Sequence, residues 1–124
     1  MAIVNLTTDS FNETVEKNDI VLVDFWAEWC GPCKSFAPIY EKTSEDYSDI
    51  IFGKVNTEVE QELAGYFQIR SIPTIMILKE GIAVFQQAGM MPEEGLKDVI
   101  AQVQKLDMDM VRAEIEKEQA QKKK

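Results

Sequence analysis

The sequence predicts an α/β fold, in which a central mixed five-stranded sheet is flanked by four helices and followed by a C-terminal helical extension. Residues 20–26, Ile-Val-Leu-Val-Asp-Phe-Trp, are apolar on both alternating faces except at Asp24, which is typical of a central strand covered on both sides. The apolar segments 74–78 and 82–85 are separated by Lys-Glu-Gly at 79–81, a pattern that predicts a hairpin.

The amino-terminal segment predicts a short strand followed by a helix. Residues 3–6, Ile-Val-Asn-Leu, are mostly apolar and end at the polar residues 7–10, which can supply a helix N-cap. Phe11 and Val15 follow at i,i+4 spacing, so the first helix is predicted to end near Lys17.

The segment after residues 20–26 predicts a long helix with one apolar face. That face carries Cys33, Phe36, Ala37, Tyr40, Ser44 and Tyr47. Pro38 lies inside this helix, where it removes one backbone hydrogen bond and is expected to produce a kink.

The next predicted elements are a strand over 50–56 and a short helix over 59–67. The apolar positions of that helix, at i,i+4 spacing, are Val59, Leu63 and Phe67. After the hairpin, Pro-Glu-Glu at 92–94 opens the last helix of the core, because proline and acids are favoured in a first helical turn.

The segment from Asp107 onward continues only a weak helical pattern, which ends in three lysines at 122–124. Residues at the a and d positions of a possible heptad repeat are Leu96, Val99, Val103, Leu106 and Met110. Because this repeat covers barely two heptads, two interpretations stay open. The segment is either a frayed, solvated helix end or a helix that binds a partner or dimerises.

Composition and charge exclude several classes of function. The 124 residues carry a net charge of −9 and offer no basic stripe for nucleic-acid phosphates or an anionic membrane surface. Histidine is absent, which excludes Ser-His-Asp and Cys-His nucleophile pairs and nearly every common zinc site. Neither a signal-peptide pattern nor a bilayer-spanning apolar run is present in the sequence, so a cytoplasmic protein is expected.

Cys30 and Cys33, the two cysteines of the chain, form a Cys-x-x-Cys motif between the predicted strand and helix. We expect Cys30 at the helix N-terminus, where free N–H groups and the positive end of the helix dipole favour a reactive thiolate. Cys33, one turn later, can then attack a mixed disulfide intramolecularly. Gly31 leaves room for a substrate backbone, and Pro32 suits the first turn. The alternatives are two incidental thiols or half a zinc site, which would need further soft ligands that the chain lacks.

Residues 23–34, Val-Asp-Phe-Trp-Ala-Glu-Trp-Cys-Gly-Pro-Cys-Lys, resemble the active-site signature of the thioredoxin family residue for residue. Later segments that are similar to the family are 54–56, 69–74, 79–81 and Gly89. The resemblance covers about residues 1–106 and implies that they form a thioredoxin-fold domain. Residues 107–124 would be a charged C-terminal helical extension outside it.

The resemblance implies a protein-disulfide reductase in which Asp24 is the buried acid beneath the cysteines and Lys54 lies near that acid. The apolar pattern of its strand also predicts that Asp24 is buried, which would raise the pKa of its carboxyl and let it accept a proton from Cys33. The alternatives are an aspartate that ends a strand or caps a helix, and a lysine that faces solvent.

The resemblance further implies a flat apolar docking surface for substrates, in which Pro73 follows a cis peptide bond. Its residues would be Trp29, Gly31, Pro32, Ile72, Pro73 and Gly89. Plain packing is the alternative for Trp29, and Trp26 is interpreted as a core or wall residue. Ser71 and Met90 depart from residues that are frequent in the family, and we expect them to narrow substrate choice.

No metal and no bound cofactor are expected, because the redox group is the Cys30–Cys33 disulfide itself. The resemblance implies that electrons come from NADPH through a separate flavoprotein, thioredoxin reductase, and pass to disulfide-containing substrate proteins. A monomer is expected. The alternative function is a non-catalytic binding module or chaperone whose tail recruits a partner.

Overall fold

The computed structural model describes residues 3–122 and folds them into a sheet covered by helices on both faces. Within that range the strands are β1 (Ile3–Asn5), β2 (Ile20–Trp26), β3 (Ile51–Asn56), β4 (Thr74–Lys79) and β5 (Ile82–Ala88). The helices are α1 (Thr8–Lys17), α2 (Gly31–Ser44), α3 (Gln61–Tyr66), α4 (Glu93–Gln104) and α5 (Met108–Lys122). The predicted order of elements is confirmed, and several of the predicted bounds shift.

The strands form one mixed sheet in the order β1-β3-β2-β4-β5. β1 and β2 run parallel to β3, whereas β4 runs antiparallel to both of its neighbours, β2 and β5. The predicted hairpin is the β4–β5 pair. The expected mixed five-stranded sheet is therefore confirmed, with β2 at its centre.

Helices cover β2 on both faces, as its apolar pattern predicts. On the face shared with α1 and α3 lie Val21, Val23 and Phe25. On the face shared with α2 and α4, which we call the α2/α4 face, lie Ile20 and Leu22. Because side chains alternate along a strand, Asp24 and Trp26 belong to the α2/α4 face. The single acid of β2 therefore lies under α2.

The helix predicted over 59–67 is shorter than expected, since α3 covers only Gln61–Tyr66. The carbonyl of Asn56 accepts hydrogen bonds from the backbone N–H groups of Val59 and Glu60, which closes a turn directly after β3. Val59 lies in this turn and is 69% exposed. Its predicted place on the apolar face of the helix was wrong.

Two other bounds differ from the prediction. α2 ends at Ser44, so Tyr47 lies beyond the helix, where its ring stacks on Phe52 with centroids 6.1 Å apart. β5 continues past Phe85 to Ala88, which pairs with the first residue of β4. The added residues are polar or exposed at the sheet edge, so an apolar pattern does not reveal them.

A buried lysine of β4 binds carbonyl groups at the carboxyl end of α4. Lys79, the last residue of β4, is 7% exposed. Its Nζ donates hydrogen bonds to the carbonyls of Val103, Gln104 and Leu106 at 2.9, 3.1 and 3.1 Å. A helix leaves its last carbonyls without partners, and a cation there also complements the negative end of the helix dipole. Lys79 therefore provides hydrogen-bond donors for carbonyls at the end of α4 and in the turn that follows it.

α5 is a separate helix and not the frayed end of α4. At its start the carboxylate of Asp107 accepts hydrogen bonds from the N–H groups of Asp109 and Met110, as an N-cap residue does. The Arg112 guanidinium forms an ion pair with Glu80 at 2.8 Å, which attaches the first turns of α5 to the β4–β5 turn.

The possible heptad repeat does not continue from α4 into α5. Leu106 lies in the break between the helices and is 37% exposed, and Met110 is 67% exposed, whereas Met108 is buried. Within residues 3–122, none of the helices combines the length and the apolar character that crossing a membrane requires.

We predict that Lys79→Met destabilises the fold by about 2 kcal/mol, because three carbonyls lose a charged donor while the apolar stem is retained. Urea denaturation would measure the change in the free energy of unfolding. Lys105→Ala, which removes an exposed lysine at the same end of α4, should change it by less than about 0.5 kcal/mol. Equal effects of the two substitutions would contradict this function of Lys79.

Candidate active site

The predicted site residues meet at the carboxyl end of β2. The chain passes from Trp26 through a short loop to Cys30, where α2 begins. Since β4 runs antiparallel to β2, it starts at the same end of the sheet, and Thr74 pairs with Phe25. Pro73, directly before β4, is therefore brought to the loop that carries the cysteines.

Cys30 and Cys33 form a disulfide, with Cα atoms 5.2 Å apart. Cys30 is the N-cap of α2, the position predicted from the motif, and its Sγ accepts a hydrogen bond from the Cys33 N–H at 3.2 Å. A sulfur at this position faces the N–H donors and the positive end of the helix dipole, which are groups that favour an anion. Cys33 lies on the buried side of α2, one turn further into the protein.

Asp24 is fully buried in the middle of β2, so it neither ends the strand nor caps α2. Neither carboxylate oxygen has a hydrogen-bond partner among residues 3–122. Burial raises the pKa of the Asp24 carboxyl from 3.8 to about 7, although the positive charge of Lys54 acts in the opposite direction. The group can therefore both accept and release a proton near neutral pH.

Lys54 is the partner of Asp24 in the parallel register of β2 and β3. It is half-buried, which differs from the solvent-facing alternative, and its Nζ lies 4.7 Å from the centroid of the Trp26 ring. That distance is typical of a cation–π interaction. Trp26, interpreted as a wall residue, is half-buried and forms the surface on which this ammonium rests.

The Ile72–Pro73 peptide bond is cis, and the Ile72 carbonyl oxygen lies 3.7 Å from Cys30 Sγ. The N–H of Gly89 donates a hydrogen bond to the Pro73 carbonyl at 2.8 Å, which places the end of β5 beside the proline. Gly89 has a φ of +97°, a conformation that favours glycine. Three of the predicted docking residues are thus brought next to Cys30.

Trp29, Gly31 and Pro32 are exposed around the disulfide. The space that a side chain at Gly31 would occupy is open, with no atom within 4 Å. Trp29 is 70% exposed, so it is not a packing residue, and its Nε1–H donates to Glu58 Oε1 at 2.6 Å. Glu58 was not among the predicted site residues, because no local pattern links residues on two different loops.

Both cysteines of the disulfide are buried, at 3% exposure each, beneath these exposed neighbours. A cavity of about 500 Å³ lies on the other side of the sheet, where α1 and α3 contribute Phe11, Leu63 and Tyr66 to its lining. Ser71 and Met90, the departures from the family pattern, are both exposed near the docking residues. Among the described residues, no group of three or more metal-ligand side chains is clustered.

We predict that Asp24→Asn stabilises the fold in a pH-dependent way. The folded chain holds a proton on this carboxyl, with its pKa of about 7, that the unfolded chain loses above its pKa of 3.8. The stability of the native sequence therefore falls as pH rises between these values, by up to about 4 kcal/mol. Urea denaturation should show little gain for the variant near about pH 4 and the full gain near about pH 8.

The control for this prediction is Asp98→Asn, which changes an exposed aspartate of α4. It should leave the pH dependence of the unfolding free energy unchanged. A gain at Asp24 that is the same at both pH values would contradict a raised pKa.

Comparison with proteins of known family identifies relatives of this chain. The family model described as Thioredoxin matches residues 2–102. A putative thioredoxin 2 of Streptomyces coelicolor is 57% identical over 118 residues, which cover 95% of this chain and 88% of that protein. The thioredoxin of Bacillus subtilis is 40% identical over 101 residues, which cover 81% of this chain and 96% of that protein.

Solved structures with the same fold are thioredoxins as well. A mutant thioredoxin from Halobacterium salinarum NRC-1 is similar with a TM-score of 0.78 and 30% identity, over 85% of this chain and 93% of that one. Thioredoxin F from spinach chloroplast, in its short form, is similar with a TM-score of 0.74 and 36% identity, over 81% of this chain and 92% of that one. The fold, the Cys30–Cys33 disulfide and these relatives agree, and the chain belongs to the thioredoxin family, as a thiol–disulfide oxidoreductase that reduces protein disulfides.

Proposed function

We propose that Cys30 is the attacking thiolate, Cys33 the resolving thiol and Asp24 the acid–base group of this reductase. The observation that carries the proposal is the position of Cys30 Sγ at the N-cap of α2, where it accepts the Cys33 N–H. The positive charge of Lys54 favours the ionised form of Asp24, the form that accepts a proton. The structure corresponds to the oxidised product of the reaction, since the two cysteines are joined.

In the first step the Cys30 thiolate attacks one sulfur of a substrate disulfide. A bond forms between Cys30 and that sulfur, the substrate disulfide breaks, and the departing substrate thiolate takes a proton from solvent. The hydrogen-bond donors at the helix N-terminus favour the anion that this step needs. They also make Cys30 a better leaving group when this first step runs in reverse.

In the second step the Cys33 thiol loses its proton to Asp24 and attacks Cys30. The Cys30–Cys33 disulfide forms, and the second substrate sulfur leaves as a thiolate, which is protonated on release. Two electrons have then passed from the two cysteines to the substrate. Its two thiols take their protons from solvent, which receives the proton that Cys30 lost on ionisation and, once Asp24 releases it, the proton of Cys33. A carboxyl with a pKa of about 7 suits this transfer, because it is partly ionised at neutral pH and still basic enough to accept a proton.

Substrate proteins are proposed to dock on the open surface around the disulfide. The exposed ring of Trp29, the open space at Gly31 and the ring of Pro32 offer apolar contact on one side of Cys30. On the other side the Ile72 carbonyl oxygen lies 3.7 Å from the sulfur, and the following Pro73 is joined to Gly89 by a backbone hydrogen bond. These contacts would suit an extended segment of a substrate protein that lies across the exposed residues.

We propose that a separate NADPH-dependent flavoprotein, thioredoxin reductase, returns the disulfide to the dithiol. We also propose a cytoplasmic location, where the reducing thiol pool suits a reductase, and a monomeric state. Residues 1–106 are proposed as the catalytic domain, and 107–124 as an extension. The break between α4 and α5 supports this division. Since only 6 residues of this chain lie outside the alignment with the Streptomyces coelicolor relative, that alignment runs into the extension.

We predict that Cys30→Ser reduces insulin disulfides no faster than the uncatalysed background, in an assay with NADPH and a thioredoxin reductase. Cys33→Ser should instead accumulate a covalent adduct with the substrate, visible by mass spectrometry, because the mixed disulfide is not resolved. Ser35→Ala changes an exposed residue of α2 and should keep full activity. Activity that survives in Cys30→Ser would exclude Cys30 as the attacking thiol.

We predict that Asp24→Asn slows the release of the mixed disulfide by about 10²-fold, because a general base typically contributes that much or more. Formation of the mixed disulfide should change by less than about threefold, since Cys30 attacks as a preformed thiolate. Stopped-flow mixing with a disulfide substrate that carries a fluorescent reporter separates the two steps. Equal slowing of both steps would remove Asp24 from the proposed role.

A further inference from the structure

Three polar or aromatic side chains form a cluster on the α2/α4 face next to the disulfide. Asp24 and Trp26 are two residues apart in β2 and therefore lie on the same face of the sheet. Lys54, the β3 partner of Asp24, reaches the same cluster, since its Nζ lies 4.7 Å from the Trp26 ring centroid. The lysine thus has two neighbours that attract a cation, a carboxylate and an indole face.

The ammonium rests on the ring and not on the carboxylate. Within residues 3–122 neither Asp24 oxygen has a hydrogen-bond partner, so no Lys54 N–H reaches it. Adjacent residues of paired strands lie close enough for their side chains to touch, and a lysine side chain is long and flexible. The absence of a direct ion pair therefore reflects where the ammonium is held, and not a lack of reach.

We propose that Trp26 is a positioning residue, whose indole face holds the Lys54 ammonium away from direct contact with Asp24. The indole suits this function because a tryptophan ring is the aromatic face that attracts cations most strongly. Its Nε1–H is buried without a partner among the described residues, so the ring itself and not a hydrogen bond accounts for the contact. This inference rests on the proposed function of Asp24 only where it concerns rates.

The position of the ammonium has a consequence for proton transfer. An opposite charge in direct contact typically lowers the pKa of a carboxyl by about 1 to 3 units. With Lys54 held on the ring, burial outweighs its attraction, and the pKa of Asp24 stays at about 7. A direct ion pair would keep Asp24 ionised and reduce its ability to accept the proton of Cys33.

Few titratable groups face Asp24, so a titration of its carboxyl can be interpreted. Lys54 approaches from β3 and Tyr40 from α2, while the β4 partner of Asp24 is the apolar Ile75 and the α4 residues buried in the core on this face are apolar. Burial raises the pKa of the Tyr40 phenol well above its usual range, so that it stays neutral. In the oxidised protein the cysteines do not titrate, because they form a disulfide. The titration of Asp24 then reports mainly on Lys54.

The experiment is an NMR titration of the Asp24 side-chain carboxyl carbon in the oxidised full-length chain. We expect Trp26→Leu to lower the pKa of Asp24 by about one unit, because the released ammonium can pair with the carboxylate. Trp26→Phe, which keeps a weaker aromatic face and most of the volume, should lower it by about half as much. If the leucine variant does not fold, the phenylalanine variant decides the outcome.

The control is the same pair of substitutions in a Lys54→Met background. Removing Trp26 also admits water to Asp24, which lowers the pKa whether or not a lysine is present, and the control measures that effect alone. We expect the shift to be at least threefold smaller without Lys54. An equal shift in both backgrounds, or no shift with Lys54 present, would overturn the proposal.

A second measurement separates this inference from the proposed function. In the pH dependence of insulin reduction, the acidic limb should move to lower pH by the same amount as the titrated pKa. If the titration shifts and the rate profile does not, Trp26 positions Lys54 as inferred, and Asp24 is not the acid–base group of the reaction.

Discussion

The geometry of the site depends on the pairing of β2 along both of its edges. β3 pairs with it in parallel and sets Lys54 beside Asp24, while β4 pairs with it antiparallel and starts beside Cys30. Because β2 is also covered on both faces, its carboxyl end is where a buried acid, a helix N-terminus and an exposed loop meet. A slip of one residue would turn Asp24 to the opposite face of the sheet and separate it from α2.

The surroundings of Asp24 and Cys30 favour opposite charge states of the two side chains. Hydrogen-bond donors at the start of α2 favour the charged form of the thiol, and burial disfavours the charged form of the carboxyl. Free thiols and carboxyls differ in pKa by about 4 to 5 units, and the raised pKa of Asp24 narrows that difference for Cys33, the thiol proposed to give it a proton. Protons can then move between sulfur and oxygen at a small cost in free energy. This arrangement lowers the stability of the fold, because an unpaired carboxylate in its core is destabilising.

Local sequence predicts those parts of the site that lie close together along the chain. Residues 23–34 contain the strand, the acid, both cysteines and the helix start, so spacing and polarity suffice. Glu58 and Lys79 could not be predicted, because their partners come from distant elements. A lysine between an apolar strand and a glycine is typical of a solvated turn, and only the end of α4 explains its burial. Val59 fitted a helical spacing that the turn after β3 overrides.

The first turns of α5 are attached at one end of the sheet, at the β4–β5 turn. Lys79 and Glu80, which hold the end of α4 and the start of α5, lie at the end of the sheet away from the cysteines. The length of β2, seven residues, separates the two ends by about 20 Å. The first turns of α5 are therefore held away from the reducing surface and leave it unobstructed.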